Sequence, residues 1–217
     1  MRNWQYYLDK IWNGGKLAII FTVVILIAYG LGTFKPNRYI TKKIEYNQEQ
    51  KTIEVLKRFG FNTPNFKYKN QKEFITAVKD CVDYLNLTLP EAKRIPDKII
   101  IAMADVESAS GTSRFATEGN ALFGVRTWDP KVPQMKPQAI PNARFGVKKY
   151  LDKCQSVGDV IDILNRHPAY KDFRIERDNQ IHKTYWNYEK LIPLLAPWST
   201  NPDYGKIILA RMKELKL

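Results

Sequence analysis

The sequence predicts a mainly α-helical protein in which one membrane-spanning helix precedes a compact helical domain. Two observations support this class. An uncharged apolar run near the N-terminus is long enough to cross a bilayer, and from Asn70 onward apolar residues recur at helical spacing. Of the 217 residues, 44% are hydrophobic, which is enough for a core. Wholesale disorder is therefore excluded.

The first predicted element is a transmembrane anchor at residues 17–34, after a short N-terminal tail at residues 1–16. The run reads LAIIFTVVILIAYGLGTF, and a helix needs about 17 or more such residues to span a bilayer. A cleaved signal peptide is the alternative, because Ala28-Tyr29-Gly30 weakly matches a small-x-small cleavage site. Basic residues flank the run on both sides, so the positive-inside rule does not orient it.

Residues 35–69 are expected to form a basic stalk, since they are rich in Lys, Asn, Gln and Glu. The apolar positions from Ile44 to Phe59 allow one helix there, ending at Gly60. Pro64 then interrupts the chain. The compact domain is predicted to cover residues 70–217.

Two helices open this domain. Asn70 and Glu73 resemble a capping box at the start of the first helix, whose apolar stripe includes Phe74 and Cys81. The second is expected to begin at Pro96-Asp97 and to be apolar nearly all round, as in a buried helix. Gly111 is the expected C-terminal cap.

Glu107 at the end of that second helix is the candidate catalytic acid. Apolar neighbours make ionisation costly, and the negative end of the helix dipole also disfavours a carboxylate. Both effects raise the pKa toward a carboxyl that stays protonated near neutral pH, which is what a general acid for glycoside cleavage requires. A solvated glutamate at a helix end is the alternative interpretation.

The segment around Glu107 also carries a recognisable signature. It reads AMADVESASGTSRFATEGNALFGV from Ala102. It resembles the pattern A-x-x-x-x-E-S-G-W-G-x-S-x-x-A-x-x-x-N-N-L-F-G of the bacterial glucosaminidases. That family is glycoside hydrolase family 73, or mannosyl-glycoprotein endo-β-N-acetylglucosaminidase-like. Ala109-Ser110 replaces the usual Gly-Trp, and Ala121 replaces the second Asn.

Later segments extend this resemblance. The stretch N-x-H-P-A-Y, from Asn165 to Tyr170, is similar to the Bax-type branch of the family, and Trp198-Ser199 with Tyr204 resembles the region before its last helix. The resemblance implies a lysozyme-like helical domain with a short β lobe, expected at residues 125–145. It also implies cleavage of the β-1,4 bond after N-acetylglucosamine in peptidoglycan, with Glu107 as the acid.

The second catalytic group is left open by the sequence. Asp129 is the only carboxylate of the expected β lobe, and Trp-Asp-Pro is also good turn chemistry. Either Asp129 holds a water for inversion, or the substrate's own acetamide acts as nucleophile with Tyr204 orienting it. Flat side chains suit a sugar site. The candidate substrate-binding residues are Asn120, Phe123, Trp128, Tyr150, Tyr170 and Trp198.

Composition and motifs restrict the remaining partners. The net charge is +13, which suits nucleic acid, anionic lipid or an acidic wall polymer. No nucleic-acid-binding motif is present, so no nucleic acid is expected. No metal and no cofactor is expected either, because His167 and His182 form no H-E-x-x-H motif and two cysteines cannot build a four-cysteine zinc site. Oligomeric state is not indicated.

Three functions remain open. The leading prediction is a membrane-anchored peptidoglycan hydrolase, single-pass, with the catalytic domain outside the cytoplasm. A catalytically weak or inactive wall-binding or morphogenesis module on the same fold is the alternative, because Ala109-Ser110 departs from the signature. A basic nucleic-acid-binding membrane protein is the third. A Cys81–Cys154 disulfide is permitted outside the cytoplasm, but the sequence does not show whether the two meet.

Overall fold

A computed structural model of the protein describes residues 2–33, 37–140 and 142–217. Within these residues the chain is mainly helical with one small antiparallel sheet. The residues form two compact units, one ending at Val55 and one covering Leu56–Leu217. The α-helices are α1 Arg2–Thr33, α2 Arg38–Arg58, α3 Gln71–Thr88, α4 Asp97–Ser108, α5 Arg114–Gly119, α6 Lys153–Arg166, α7 Lys171–Gln180, α8 Tyr188–Leu191 and α9 Tyr204–Glu214. Short 3₁₀ helices cover Glu91–Lys93, Pro168–Tyr170 and Ile192–Trp198.

The first unit contains α1 and most of α2. The large apolar side chains of α1 between positions 17 and 29 are exposed. Among the residues that the structure describes, no helix is both long enough and apolar enough to cross a membrane. The predicted anchor reaches Phe34, which lies outside the described residues. The anchor and the domain boundaries of the sequence analysis stay predictions.

Helix α3 begins with the predicted capping box. The Asn70 side chain accepts a hydrogen bond from the Glu73 N–H at 2.9 Å. The Glu73 carboxylate in turn accepts from the N–H of Lys69 at 2.8 Å, one residue before the cap. These bonds satisfy main-chain donors at the helix start. The buried face of α3, which includes Phe74, Val78, Cys81 and Val82, packs against α4.

Helix α4 is buried nearly all round, as its composition predicts, but its predicted cap at Gly111 is wrong. The helix ends at Ser108, and Ala109 is its C-cap in the left-handed conformation, with φ 51°. Ser110 and Gly111 are left-handed as well, with φ 54° and 79°. Gly111 is needed for space, because a Cβ there would lie 2.6 Å from the Tyr68 hydroxyl. The loop after Glu107 is therefore tight and rests on Tyr68.

The sheet is the short β lobe, with β1 at Arg126–Thr127, β2 at Gln134–Met135 and β3 at Gly146–Lys148. Its strand order is β1-β3-β2, and both pairings are antiparallel. In the register, Arg126 lies opposite Val147 and Gln134 lies opposite Lys148. The first two strands fall within the expected lobe, and the third begins directly after it.

A disulfide joins Cys81 of α3 to Cys154 of α6, across 73 residues of sequence. Both cysteines are buried. Neither cysteine is free in the described part of the chain, so no cysteine thiol is available as a nucleophile there.

Helix α9 packs against α4 and against the 3₁₀ helix Ile192–Trp198. These contacts bring the C-terminal region to the end of α4 that carries Glu107.

Candidate active site

Glu107 lies in the last turn of α4 and is partly buried. Burial raises the pKa of its carboxyl, while the Tyr204 and Trp198 side chains beside it act in the opposite direction by favouring the carboxylate. Burial is the larger effect, so the pKa is raised above the ordinary value of a glutamate. A carboxyl of this kind keeps its proton to higher pH and can donate it to a leaving group.

Tyr204, the first residue of α9, faces Glu107. Its side chain is 3% exposed, and its pKa is raised by burial first and by the negative charge of Glu107 second. The buried hydroxyl makes no hydrogen bond of ordinary length and angle within the described residues, so it acts on Glu107 through a looser contact. Buried hydroxyls are normally paired, and the Glu107 carboxyl is the polar group that lies beside this one.

Aromatic rings continue this site. The Trp198 ring meets the Phe123 ring edge-on, with centroids 6.5 Å apart, and lies tilted against the Tyr170 ring at 6.3 Å. Burial raises the pKa of Tyr170 to about 12, so it stays a neutral phenol. Tyr170 is also close enough to Tyr204 to raise the pKa of that phenol. The structure thus brings together five residues predicted from the sequence: Glu107, Phe123, Tyr170, Trp198 and Tyr204.

The predicted residues of the β lobe have a different setting. Asp129 is exposed, its carboxylate accepts from the Lys131 N–H at 2.9 Å, and its own N–H donates to the Thr127 hydroxyl at 3.2 Å. These are the bonds of a turn, as its local sequence suggests. Trp128 is 65% exposed, with its ring 6.0 Å from Phe145. Their predicted roles in catalysis and binding stay predictions.

Asn120 and Tyr150 support the chain between β3 and α6. The Asn120 amide donates to the carbonyls of Tyr150 and Leu151, each at 3.1 Å. The Tyr150 hydroxyl donates to Asp159 at 2.6 Å, and burial raises its pKa. Both side chains are therefore engaged in internal bonds, and their predicted contact with substrate stays a prediction.

A buried aspartate, Asp105, joins three elements around the end of α4, and it is not among the site residues predicted from the sequence. Asp105 accepts hydrogen bonds from three side chains. These come from Gln71 Nε2 at 3.1 Å, Ser110 Oγ at 2.7 Å and Arg211 Nε at 2.5 Å. The network joins the start of α3, the loop after Glu107 and helix α9, which begins with Tyr204. The sequence did contain a signal for this network: Asp105 lies inside an apolar helix, and a buried charge needs partners.

The loop after Glu107 is held from its other side by Tyr68, whose hydroxyl donates to the Gly111 carbonyl at 2.6 Å. The Tyr68 ring also packs edge-on against Phe74, at 5.1 Å. Asp105 and Tyr68 together fix a loop that contains two left-handed non-glycine residues. The described residues contain no group of three or more His, Cys, Asp or Glu side chains that could hold a metal ion.

Comparisons with known proteins show the family and the fold of the chain. A family model, Glucosaminidase, described as mannosyl-glycoprotein endo-beta-N-acetylglucosaminidase, matches residues 87–217. The protein named bax from Escherichia coli K12 is 32% identical over 92 residues, which is 42% of this chain and 32% of that protein. The chain therefore matches about a third of that relative's length.

The fold is similar to that of the catalytic domain of the autolysin Auto from Listeria monocytogenes. The TM-score is 0.51 with 15% sequence identity, over 76% of this chain and 94% of that domain. At this identity the match shows a common fold. It covers more of the chain than the family model does.

Proposed function

Since the chain belongs to the glucosaminidase family, whose model matches residues 87–217, we propose that it is a peptidoglycan hydrolase. It cleaves the β-1,4 bond after N-acetylglucosamine, and Glu107 is the general acid. One observation carries this proposal: Glu107 is partly buried beside the Tyr204 and Trp198 side chains, and burial raises the pKa of its carboxyl. Peptidoglycan offers both the glycosidic oxygen to be protonated and the acetamide to be positioned.

In the first step the Glu107 carboxyl donates its proton to the glycosidic oxygen, and the bond between that oxygen and C1 breaks. The acetamide oxygen of the same N-acetylglucosamine bonds to C1 and gives a cyclic oxazolinium ion. Substrate-assisted cleavage of this kind needs no second carboxylate. In this proposal the phenol beside Glu107, Tyr204, orients the acetamide; its support is the contact with Glu107, whose charge raises the pKa of Tyr204.

In the second step the Glu107 carboxylate accepts a proton from a water, whose oxygen attacks C1. The oxazolinium ring opens, the acetamide is restored, and Glu107 is protonated again for the next cycle. A carboxyl with a raised pKa serves both steps because it keeps its proton to a higher pH than an ordinary glutamate and takes it up again more readily. The Trp198 ring offers a flat apolar face for a sugar ring.

The test is Glu107→Gln, assayed by the release of muropeptides from purified peptidoglycan. The amide is nearly isosteric but cannot donate the proton, so turnover should fall by about 10²–10⁴. Glu118→Gln is the matched control, because Glu118 lies in the same signature but is exposed and ion-paired with Arg114. Mass spectrometry of the wild-type products should find N-acetylglucosamine at the reducing end.

Two outcomes would contradict this assignment. If Glu107→Gln keeps more than a tenth of wild-type turnover while folded, Glu107 is not the acid. If the wild-type protein binds peptidoglycan without cleaving it, the alternative of a wall-binding module holds.

Asp129→Asn separates the two mechanisms left open by the sequence. The asparagine oxygen can still accept from the Lys131 N–H, so the turn should persist. Under substrate assistance the rate should fall less than about tenfold, whereas loss of a general base costs about 10²–10⁴. A loss of that larger size in a folded protein would favour inversion with Asp129 holding the water.

We propose further that residues 17–34 anchor the chain in a membrane, with the catalytic domain outside the cytoplasm. Support comes from the uncharged run, from the exposed apolar side chains of α1 and from the Cys81–Cys154 disulfide, which suits an oxidising compartment. Extraction of membranes with alkaline carbonate should leave the full chain in the pellet. Recovery of the intact chain in the supernatant would contradict the anchor, and a mature N-terminus at Leu31 would indicate a cleaved signal instead.

A further inference from the structure

A concave site lies outside the Glu107 cluster. It is a cavity of about 370 Å³, within the size range of small-ligand sites. One wall is the irregular segment just before α3, and the other is the start of α6. Its lining residues are Thr63, Pro64, Asn65, Phe66, Asn120, Leu151, Asp152 and Lys153. The first four lie before the segment that the family model matches.

Lys153 gives this cavity its cationic group. Its ammonium donates to Asn120 Oδ1 at 3.1 Å and lies 5.7 Å from the centre of the Tyr68 ring. It forms no ion pair with any residue that the structure describes. Burial also lowers its pKa, which reflects the cost of holding this charge. A partly buried ammonium without a carboxylate partner can gain from an anionic ligand.

The other charged residue that lines the cavity, Asp152, repels an anionic ligand less than its charge suggests. The Asp152 carboxylate caps α6 and accepts from the Gln155 N–H at 2.8 Å. At a helix N-terminus its negative charge is offset by unpaired N–H groups and by the helix dipole. The repulsion that an incoming carboxylate would feel is therefore reduced, while Lys153 stays without a counter-ion from the described residues.

The segment opposite offers groups that suit a peptide. Within the described residues, Thr63 and Phe66 make no main-chain hydrogen bond, and the Asn65 carbonyl is used only by the Lys67 N–H at 2.9 Å. Main-chain donors and acceptors of this kind bind added peptide segments. Exposed Leu151 and partly buried Phe66 add apolar surface.

We propose that this cavity binds a carboxylate of the short peptide carried by the peptidoglycan strand, with Lys153 as the cationic contact. This rests on the proposed function, since that substrate alone combines a glycan with short acidic peptides. Tyr68 connects the two sites, because its ring lies against Lys153 and its hydroxyl holds Gly111 in the loop after Glu107. In this proposal a strand bound at Glu107 is also held by one of its peptides.

The first test is calorimetric titration of the full chain, in detergent, with a synthetic stem peptide. Lys153→Gln should weaken binding at least tenfold. Lys149→Gln should not, because Lys149 is an exposed lysine four positions away that does not line the cavity. A stem peptide whose carboxylates are amidated should bind the wild-type protein weakly. Its affinity should match that of the unmodified stem peptide for Lys153→Gln. Equal affinity of the two peptides, or of Lys153→Gln and wild type, would overturn the proposal.

The second test compares kinetics on intact peptidoglycan and on glycan strands freed of peptide by an amidase. Lys153→Gln should raise KM about tenfold on the intact polymer, leave kcat unchanged, and leave both constants unchanged on the peptide-free strand. An equal rise in KM, or an equal fall in kcat, on both substrates would mean that Lys153 has a structural role and would overturn the proposal. If the wild-type protein hydrolyses neither, the proposed function fails, while the peptide titration still decides whether the cavity binds a carboxylate.

Discussion

Replacing Arg211 by methionine tests whether the buried Asp105 network holds the site together. Asp105 is 0% exposed, and Arg211 is the one cation among the three side chains described above as donating to it. In Arg211→Met the carboxylate keeps its bonds from Gln71 and Ser110 but stays buried without a counter-charge. Breaking a buried ion pair from one side typically costs about 3–5 kcal/mol.

The assay is urea unfolding at pH 7 followed by circular dichroism, with the midpoint and the slope compared between variants. In a parallel thermal melt, a loss of about 3–5 kcal/mol in a unit of this size corresponds to a fall in Tm of roughly 6–20 °C. Lys79→Met is the control, because it breaks the solvent-accessible pairs of Lys79 with Asp83 and Asp97, and exposed pairs contribute about 0–1 kcal/mol. The double variant Asp105→Asn with Arg211→Met should recover part of the loss, since no buried charge remains.

A loss of less than about 1 kcal/mol in the free energy of unfolding of Arg211→Met would refute this reasoning, because it would mean that the buried carboxylate needs no cation.

Activity supplies a second measurement. Asp105 lies on the helix that carries Glu107, and Arg211 lies on the helix that begins with Tyr204. Turnover of the folded fraction should therefore fall in Arg211→Met and stay at the wild-type level in Lys79→Met.

Three further outcomes are expected. Burial raises the pKa of Glu107, so the folded protein holds this carboxyl in its protonated form more tightly than the unfolded chain does. The stability of the protein is therefore complete below the unfolded pKa and falls as pH rises through the folded pKa. The Tm of Glu107→Gln, which cannot ionise, should exceed that of wild type at pH 8 and match it near pH 3. Ala109→Gly should gain up to about 1 kcal/mol in urea unfolding, because relief of a left-handed alanine outweighs the added freedom of the unfolded chain, and a loss would contradict strain at φ 51°. Replacing Cys81 and Cys154 by serine should cost about 2–4 kcal/mol, and unchanged unfolding without reductant would show that the bond contributes nothing.

Local signals explain how much of the fold could be predicted. The capping pair Asn70 and Glu73 and the proline before Asp97 act within one helical turn, so the starts of α3 and α4 can be derived from the sequence. The end of α4 could not be derived in this way. Alanine rarely adopts a left-handed conformation, and Ala109 does so where contacts from Tyr68, 43 residues from Gly111, hold the loop.

Part of the candidate site was predictable, because the segments that carry Glu107 and Tyr204 both resemble segments of the glucosaminidase family. The resemblance makes both residues candidates for one site although almost a hundred residues separate them. The pairing of Asp105 with Arg211, 106 residues apart, has no local pattern, because either charge alone suits a solvated helix face. Tyr150 shows the converse: an aromatic residue next to the expected groove has its hydroxyl bonded to Asp159.

Helix α3 has a consequence for where this domain can be cut. The family model starts at residue 87, yet α3 begins at Gln71 and supplies Phe74 and Cys81 to the core. A fragment starting at residue 87 would lose half of the disulfide, the support of Tyr68 under the loop after Glu107, and the apolar cover of α4. We therefore expect a folded fragment to begin before Tyr68, and inactivity of a shorter one would carry no information about Glu107.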